Sequence, residues 1–118
     1  MAKHQLLGKQ GELLAAAWLQ AKGFTILEVN WRHSYYEIDI VATINQVLHF
    51  IEVKTRVNKK FGEPEESVGK KKIARMLTAG AAYHAANPQW TRVQYDVLSI
   101  SLLPGETIDY FFIEDVYL

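Results

Sequence analysis

Apolar residues recur at helical spacing at the start of the chain and at alternate positions soon after, so a helix leads into a sheet. Over residues 10–22, Leu14, Trp18 and Ala21 fall on one helical face, and Gly23 supplies the stop. Phe24, Ile26, Leu27 and Trp31 mark an extended segment over 24–32. Residues 36–44 and 47–55 are rich in Ile, Val and Phe, with Asn45-Gln46 between them, which predicts a β-hairpin. The loop 58–64 carries Gly62 and Pro64 and leads into a second helix over about 65–86. That helix opens on Glu65 and Glu66, where carboxylates suit its dipole. Its inward stripe is Ile73, Met76, Leu77, Gly80 and Tyr83, and Asn87-Pro88 ends it. Two strands follow over 92–101 and 107–113, turning at Pro104-Gly105. The predicted order is αβββαββ, an α/β sandwich around one mixed sheet of about five strands.

Length and composition narrow the class. A chain of 118 residues, 49% hydrophobic and 22% charged, suits a single globular domain over 1–118 and argues against disorder. There is no cysteine, so disulfides and thiolate metal sites are excluded. The longest apolar run, residues 13–19, is far shorter than the roughly 20 residues a membrane helix needs. Residues 1–7 lack the apolar core of a secretion signal, so the expected location is the cytoplasm, with no membrane partner.

The net charge is zero, but the charges are segregated. Residues 54–75 hold eight basic side chains (Lys54, Arg56, Lys59, Lys60, Lys70, Lys71, Lys72, Arg75) against three acidic ones. No Lys or Arg follows Arg92. Such a distribution permits a local anion-binding face, and it equally suits a solvated helix surface. Lys71 and Arg75, four apart, share a helix face, while Lys72 lies nearer the inward stripe.

Strand alternation places Glu37, Asp39, Val41 and Thr43 on one face of the hairpin, with Ile38, Ile40, Ala42 and Ile44 opposite. On the partner strand Leu48, Phe50, Glu52 and Lys54 share a face. A turn centred on Asn45-Gln46 pairs residues whose numbers sum to 91, which sets Asp39 across from Glu52 and Glu37 across from Lys54. Opposed carboxylates, about 5 Å apart at Cβ, repel. Two readings neutralise them: a divalent cation held by oxygen ligands, with Lys54 beside it, or an ion-pair network in which Lys54 bridges both acids.

The segments Gly8-Lys9-Gln10-Gly11-Glu12, Asn30-Trp31-Arg32, Glu37-Ile38-Asp39 and Glu52-Val53-Lys54-Thr55-Arg56 occur in an order and spacing that resembles the YraN-type family of endonuclease-like proteins, within the PD-(D/E)xK nuclease superfamily. Phe61-Gly62-Glu63-Pro64, the helix bearing Lys72, and Tyr95-Asp96-Val97 extend the resemblance over about residues 8–98. It implies a restriction-endonuclease-like fold and a Mg²⁺- or Mn²⁺-dependent endonuclease acting on DNA, including branched or damaged DNA in repair or recombination. Asp39, Glu52 and Lys54 are then the catalytic set, and Glu12, Asp39 and Glu52 the metal ligands. Arg56, Lys71, Lys72 and Arg75 are the expected nucleic-acid contacts, with a second copy or a partner protein available for targeting. Two departures bear on substrate fit. Tyr36 stands where the family usually has Gly and is expected to narrow the mouth of the site; Gln94 stands for the usual Arg and removes a charge that could pair with an acid or phosphate. The other class of function is a non-catalytic nucleic-acid-binding or adaptor module on the same fold. Trp31, Tyr35 and Tyr36 suit either base stacking or packing at the rim, and the four histidines show no metal-ligand spacing.

Overall fold

The computed structural model describes residues 3–57 and 70–116, with side chains described for 8–57 and 71–116. The elements are α1 (Lys3–Ala21), β1 (Thr25–His33), β2 (Tyr36–Ile44), β3 (Val47–Val57), α2 (Lys70–Ala86), β4 (Val93–Leu103) and β5 (Thr107–Ile113). The expected start of the second helix, with Glu65 and Glu66, lies outside the described residues, as do the loop 58–64 and its Lys59 and Lys60. The five strands form one sheet in the order β1-β2-β3-β4-β5. β3 and β4 are parallel and every other pair is antiparallel. A parallel pair needs a crossover, and α2 lies on it. No helix among the described residues is long and apolar enough to cross a membrane.

The first helix begins at Lys3, earlier than its apolar spacing indicates. Gly8 and Gly11 weaken the pattern there because glycine is a poor helix former. Packing explains Gly11: a Cβ at that position would collide with the Thr55 side chain, so α1 crosses β3 at a distance that only glycine allows.

The helices cover opposite faces of the sheet. On one, Ala15 and Leu19 of α1 pack with Ile40, Ala42, Ile51, Leu98 and Ile100. On the other, Ala79 and Tyr83 of α2 pack with Ile38, Val41, Leu48 and Phe50. The hairpin register follows the sum of 91 from Ile44–Val47 to Ile40–Ile51. Its turn holds both Asn45 and Gln46 at positive φ (52° and 66°), which matches the twist of the flanking strands.

One expected face assignment is corrected. Ile38 does not share the face of Ile40; it packs under α2 with Val41. Its partner in β1, Trp31, packs there too. Asn30, beside Trp31 in β1, has φ 55°, a left-handed step that breaks the two-residue alternation of β1. A bulge at Leu27, where the register shifts between Ile26 and Glu28, adds to the bend.

Candidate active site at the parting of two strands

Backbone pairing between β2 and β3 ends at Ile40–Ile51. At the next position Asp39 turns its carboxylate into the gap, where Oδ2 accepts a 2.8 Å hydrogen bond from the Val53 amide. A side chain thus satisfies a donor that the strand no longer reaches. The parting opens a pocket of about 250 Å³. Asp39 and Glu52 lie in it with Glu37; Tyr35 and Tyr36 line it from the hairpin side, and Lys72, Arg75 and Met76 from α2.

The pocket concentrates charge. Glu52 Oε2 is 2.9 Å from Lys72 Nζ, and Lys72 is within hydrogen-bonding reach of Lys54. Burial, then the Glu52 charge, push the Asp39 carboxyl from its ordinary 3.8 up to about 7, with Glu12 and Glu37 adding to the rise and the Val53 hydrogen bond opposing it. Lys54 moves the other way, to about 8, because burial and the neighbouring Lys72 disfavour its charge. Lys72 is held above its usual range: burial works against its charge, but the hydrogen bonds to Lys54 and Glu52 outweigh it. Two groups of opposite type are therefore drawn toward neutral pH within one site, a pattern frequent where proton transfer or ion binding occurs.

The surrounding sequence defines a family. The model described as "Uncharacterised protein family UPF0102" matches residues 11–100, an interval that contains every candidate site residue. The chain belongs to the UPF0102 family, the YraN-like group. A UPF0102 protein of Bacteroides thetaiotaomicron is 41% identical over 100 residues, covering 85% of this chain and 83% of its own. One from Phocaeicola vulgatus is 42% identical over the same length, with the same coverage. One from Dictyoglomus turgidum is 37% identical over 114 residues, covering 94% of this chain and 96% of its own.

In this UPF0102 chain the structure gathers some of the expected residues and separates others. Asp39, Glu52 and Lys72 line the pocket; Lys54 is not among the lining residues but feels the charges of all three. Glu12 reaches the same region from α1; its Oε1 accepts a 3.0 Å hydrogen bond from Asn30 Nδ2, and its charge is felt at Asp39. Among the described residues, no group of three or more His, Asp or Glu side chains forms a ready metal cage. The ion pair on Glu52 comes from Lys72, not from Lys54 as the network reading supposed. On α2, Lys72 and Arg75 line the pocket, three residues apart, while exposed Lys71 does not. Arg56 is half-buried on β3 outside the pocket lining. Tyr36 lines the pocket, and Gln94 binds acids: Nε2 donates to Asp96 Oδ1 at 2.9 Å and lies 3.4 Å from Glu114 Oε1.

A buried pair escaped the spacing argument. His49 Nδ1 lies 2.6 Å from Asp96 Oδ2, and the Asp115 amide donates to Asp96 Oδ1 at 2.8 Å. These partners satisfy a fully buried carboxylate, which is what burying a charge requires. Of the other histidines with described side chains, His33 stacks on Trp31 and His84 is bonded to the Trp90 carbonyl.

Proposed function

We propose that this protein is a Mg²⁺- or Mn²⁺-dependent nuclease that hydrolyses phosphodiester bonds in DNA. The observation that carries the reading is the meeting of two carboxylates, Asp39 and Glu52, where β2 and β3 part, with Lys72 in the same pocket and Lys54 within electrostatic reach of both acids. The donor set fits a hard cation: Mg²⁺ is commonly held by one or two carboxylates and keeps several waters. Asp39 and Glu52 would hold it, and Glu12, whose charge is felt at Asp39, is the third candidate ligand. When bound, the cation supplies an acidified water and stabilises charge on a phosphate oxygen. Lys54, with its proton affinity lowered toward neutral pH, orients the attacking water and exchanges a proton with it. Lys72 and Arg75 face the phosphate backbone at the pocket, and Arg56 and Lys71 extend the basic surface beside it. The likeness to the PD-(D/E)xK superfamily supports the same assignment and a restriction-endonuclease-like fold. The cytoplasm is the natural place for such work.

One observation favours a second reading. The Lys72–Glu52 ion pair neutralises an acid without a metal, as a non-catalytic DNA-binding or adaptor module would require. A cleavage panel of duplex, nicked, branched and single-stranded DNA with Mg²⁺ and Mn²⁺ separates the two. The nuclease cuts at least one substrate and loses that cut in Asp39→Asn and Glu52→Gln. An adaptor binds DNA, cuts none, and keeps its binding in both variants.

A further inference from the structure

The hairpin tip beside the pocket carries side chains that the cleavage chemistry does not use. His33 and Tyr36 form the last pair of β1 and β2, and only Ser34 and Tyr35 make the turn, with Ser34 at φ 58°. So short a turn leaves Tyr35 96% exposed at the edge of the pocket that the residue helps to line. Tyr35 takes no part in either core cluster, so its ring is free to meet a ligand.

The tip is anchored. Trp31 stacks on His33 with centroids 6.1 Å apart and an interplanar angle of 6°, and meets Tyr83 of α2 edge-on at 5.0 Å. Tyr83 is buried in the core with Phe50, so the platform under the tip is continuous with the fold. Arg75, an exposed residue of α2, lines the same pocket. Aromatic rings from the hairpin and a planar cation from α2, brought to one pocket, are groups that stack on the faces of a nucleobase. The carboxylates and lysines below them are the proposed phosphate end of the site.

We infer that Tyr35, Tyr36 and Arg75 form a stacking subsite for an unpaired base, so that the substrate is DNA with a single-stranded nucleotide at the position of cleavage. The inference rests on the nuclease reading for the position of the scissile phosphate. A base inside a duplex has both faces covered by its neighbours, and only an unpaired or frayed nucleotide can enter. Stacking on a side chain contributes about 1–3 kcal/mol per base, roughly a 5- to 150-fold change in affinity when the ring is removed.

The test is equilibrium binding of a short 2-aminopurine-labelled oligonucleotide, single-stranded and as the matched duplex, with Ca²⁺ present. The proteins are the full chain and its Tyr35→Ala and Tyr35→Trp variants, changes at an exposed position. The single strand should bind at least tenfold more tightly than the duplex, with its fluorescence quenched on binding. Tyr35→Ala should lose that preference and Tyr35→Trp should keep it. Equal affinity for the two forms, or an unchanged preference in Tyr35→Ala, overturns the subsite; cutting by the same protein in a separate Mg²⁺ or Mn²⁺ assay leaves the nuclease reading standing. A preference that depends on Tyr35 in a protein that cuts nothing keeps the subsite and overturns the nuclease. Absence of binding to either form overturns both.

Discussion

The Asp39 carboxylate takes the place of a strand: its Oδ2 receives the Val53 amide at 2.8 Å, beyond the last backbone pair of β2 and β3. The same side chain therefore shapes the gap and supplies a ligand within it. Asp39→Asn keeps an oxygen acceptor for Val53, whereas Asp39→Ala leaves the amide unpaired at a part-buried position. Urea unfolding at neutral pH should find the Ala variant about 1–3 kcal/mol less stable than the Asn variant. Equal stability would show that water satisfies the amide.

The raised Asp39 pKa fixes the sign of a pH effect. Its folded value, about 7, lies above the ordinary 3.8, so the folded state holds a proton that the unfolded chain has released. Stability from this group is full below about pH 4, falls as pH rises, and is level above pH 7. The loss is on the order of 2 kcal/mol, allowing for screening of a partly exposed group. Unfolding at pH 5 and pH 8 should show a slope in the wild type that flattens in Asp39→Asn. Mg²⁺ should stabilise the wild type at pH 8 and do so poorly at pH 5, where the proton competes for the same oxygen. An identical slope in both proteins would move the pH dependence to other groups.

Gly11 ties the first helix to the site. A Cβ there would overlap Thr55, and Glu12 is the next residue. Gly11→Ala should cost about 1–3 kcal/mol through overpacking. Thr55→Ala, which removes the hydroxyl that the new methyl would meet first, should recover part of that loss. Thermal unfolding of the two single variants and the double variant measures the coupling; simple additivity would contradict the close approach.

Lys72 should act on the two ligands in opposite directions. It neutralises Glu52 at 2.9 Å across a partly exposed pair, so it competes with a cation while attracting a phosphate. Lys72→Ala should tighten Mn²⁺ binding up to roughly fivefold. It should weaken DNA binding and lower the salt dependence of that binding by about one phosphate contact. Titrations of each ligand at several salt concentrations measure both effects, and a shift of both affinities in one direction would contradict this role.

Much of this was legible in the chain. Alternating Ile and Val at 36–44 and 47–55 around Asn45-Gln46 gave the hairpin register as far as Ile40–Ile51, and beyond that last pair Asp39 and Glu52 line one pocket. The apolar stripe of the second helix named Met76, Gly80 and Tyr83, all buried. What stayed hidden depends on tertiary contact. Nothing in the local pattern signals that Asn30 takes a positive φ or that Ile38 packs under α2. The pairing of His49 with Asp96 depends on the parallel register of β3 and β4, across an intervening crossover helix that no local pattern aligns. Lys72 and Arg75 share the pocket because of how α2 is rotated on the sheet, which a four-residue spacing rule does not determine.

The most direct test of the central claim is calorimetric titration of Mn²⁺ into the protein with a DNA duplex present, comparing wild type with Glu52→Ala. Saturable Mn²⁺ binding in the wild type that is lost in the variant is the predicted result. Equal Mn²⁺ behaviour in the two proteins, with DNA bound equally by both, would contradict the metal site and leave Asp39, Glu52, Lys54 and Lys72 as a structural ion network.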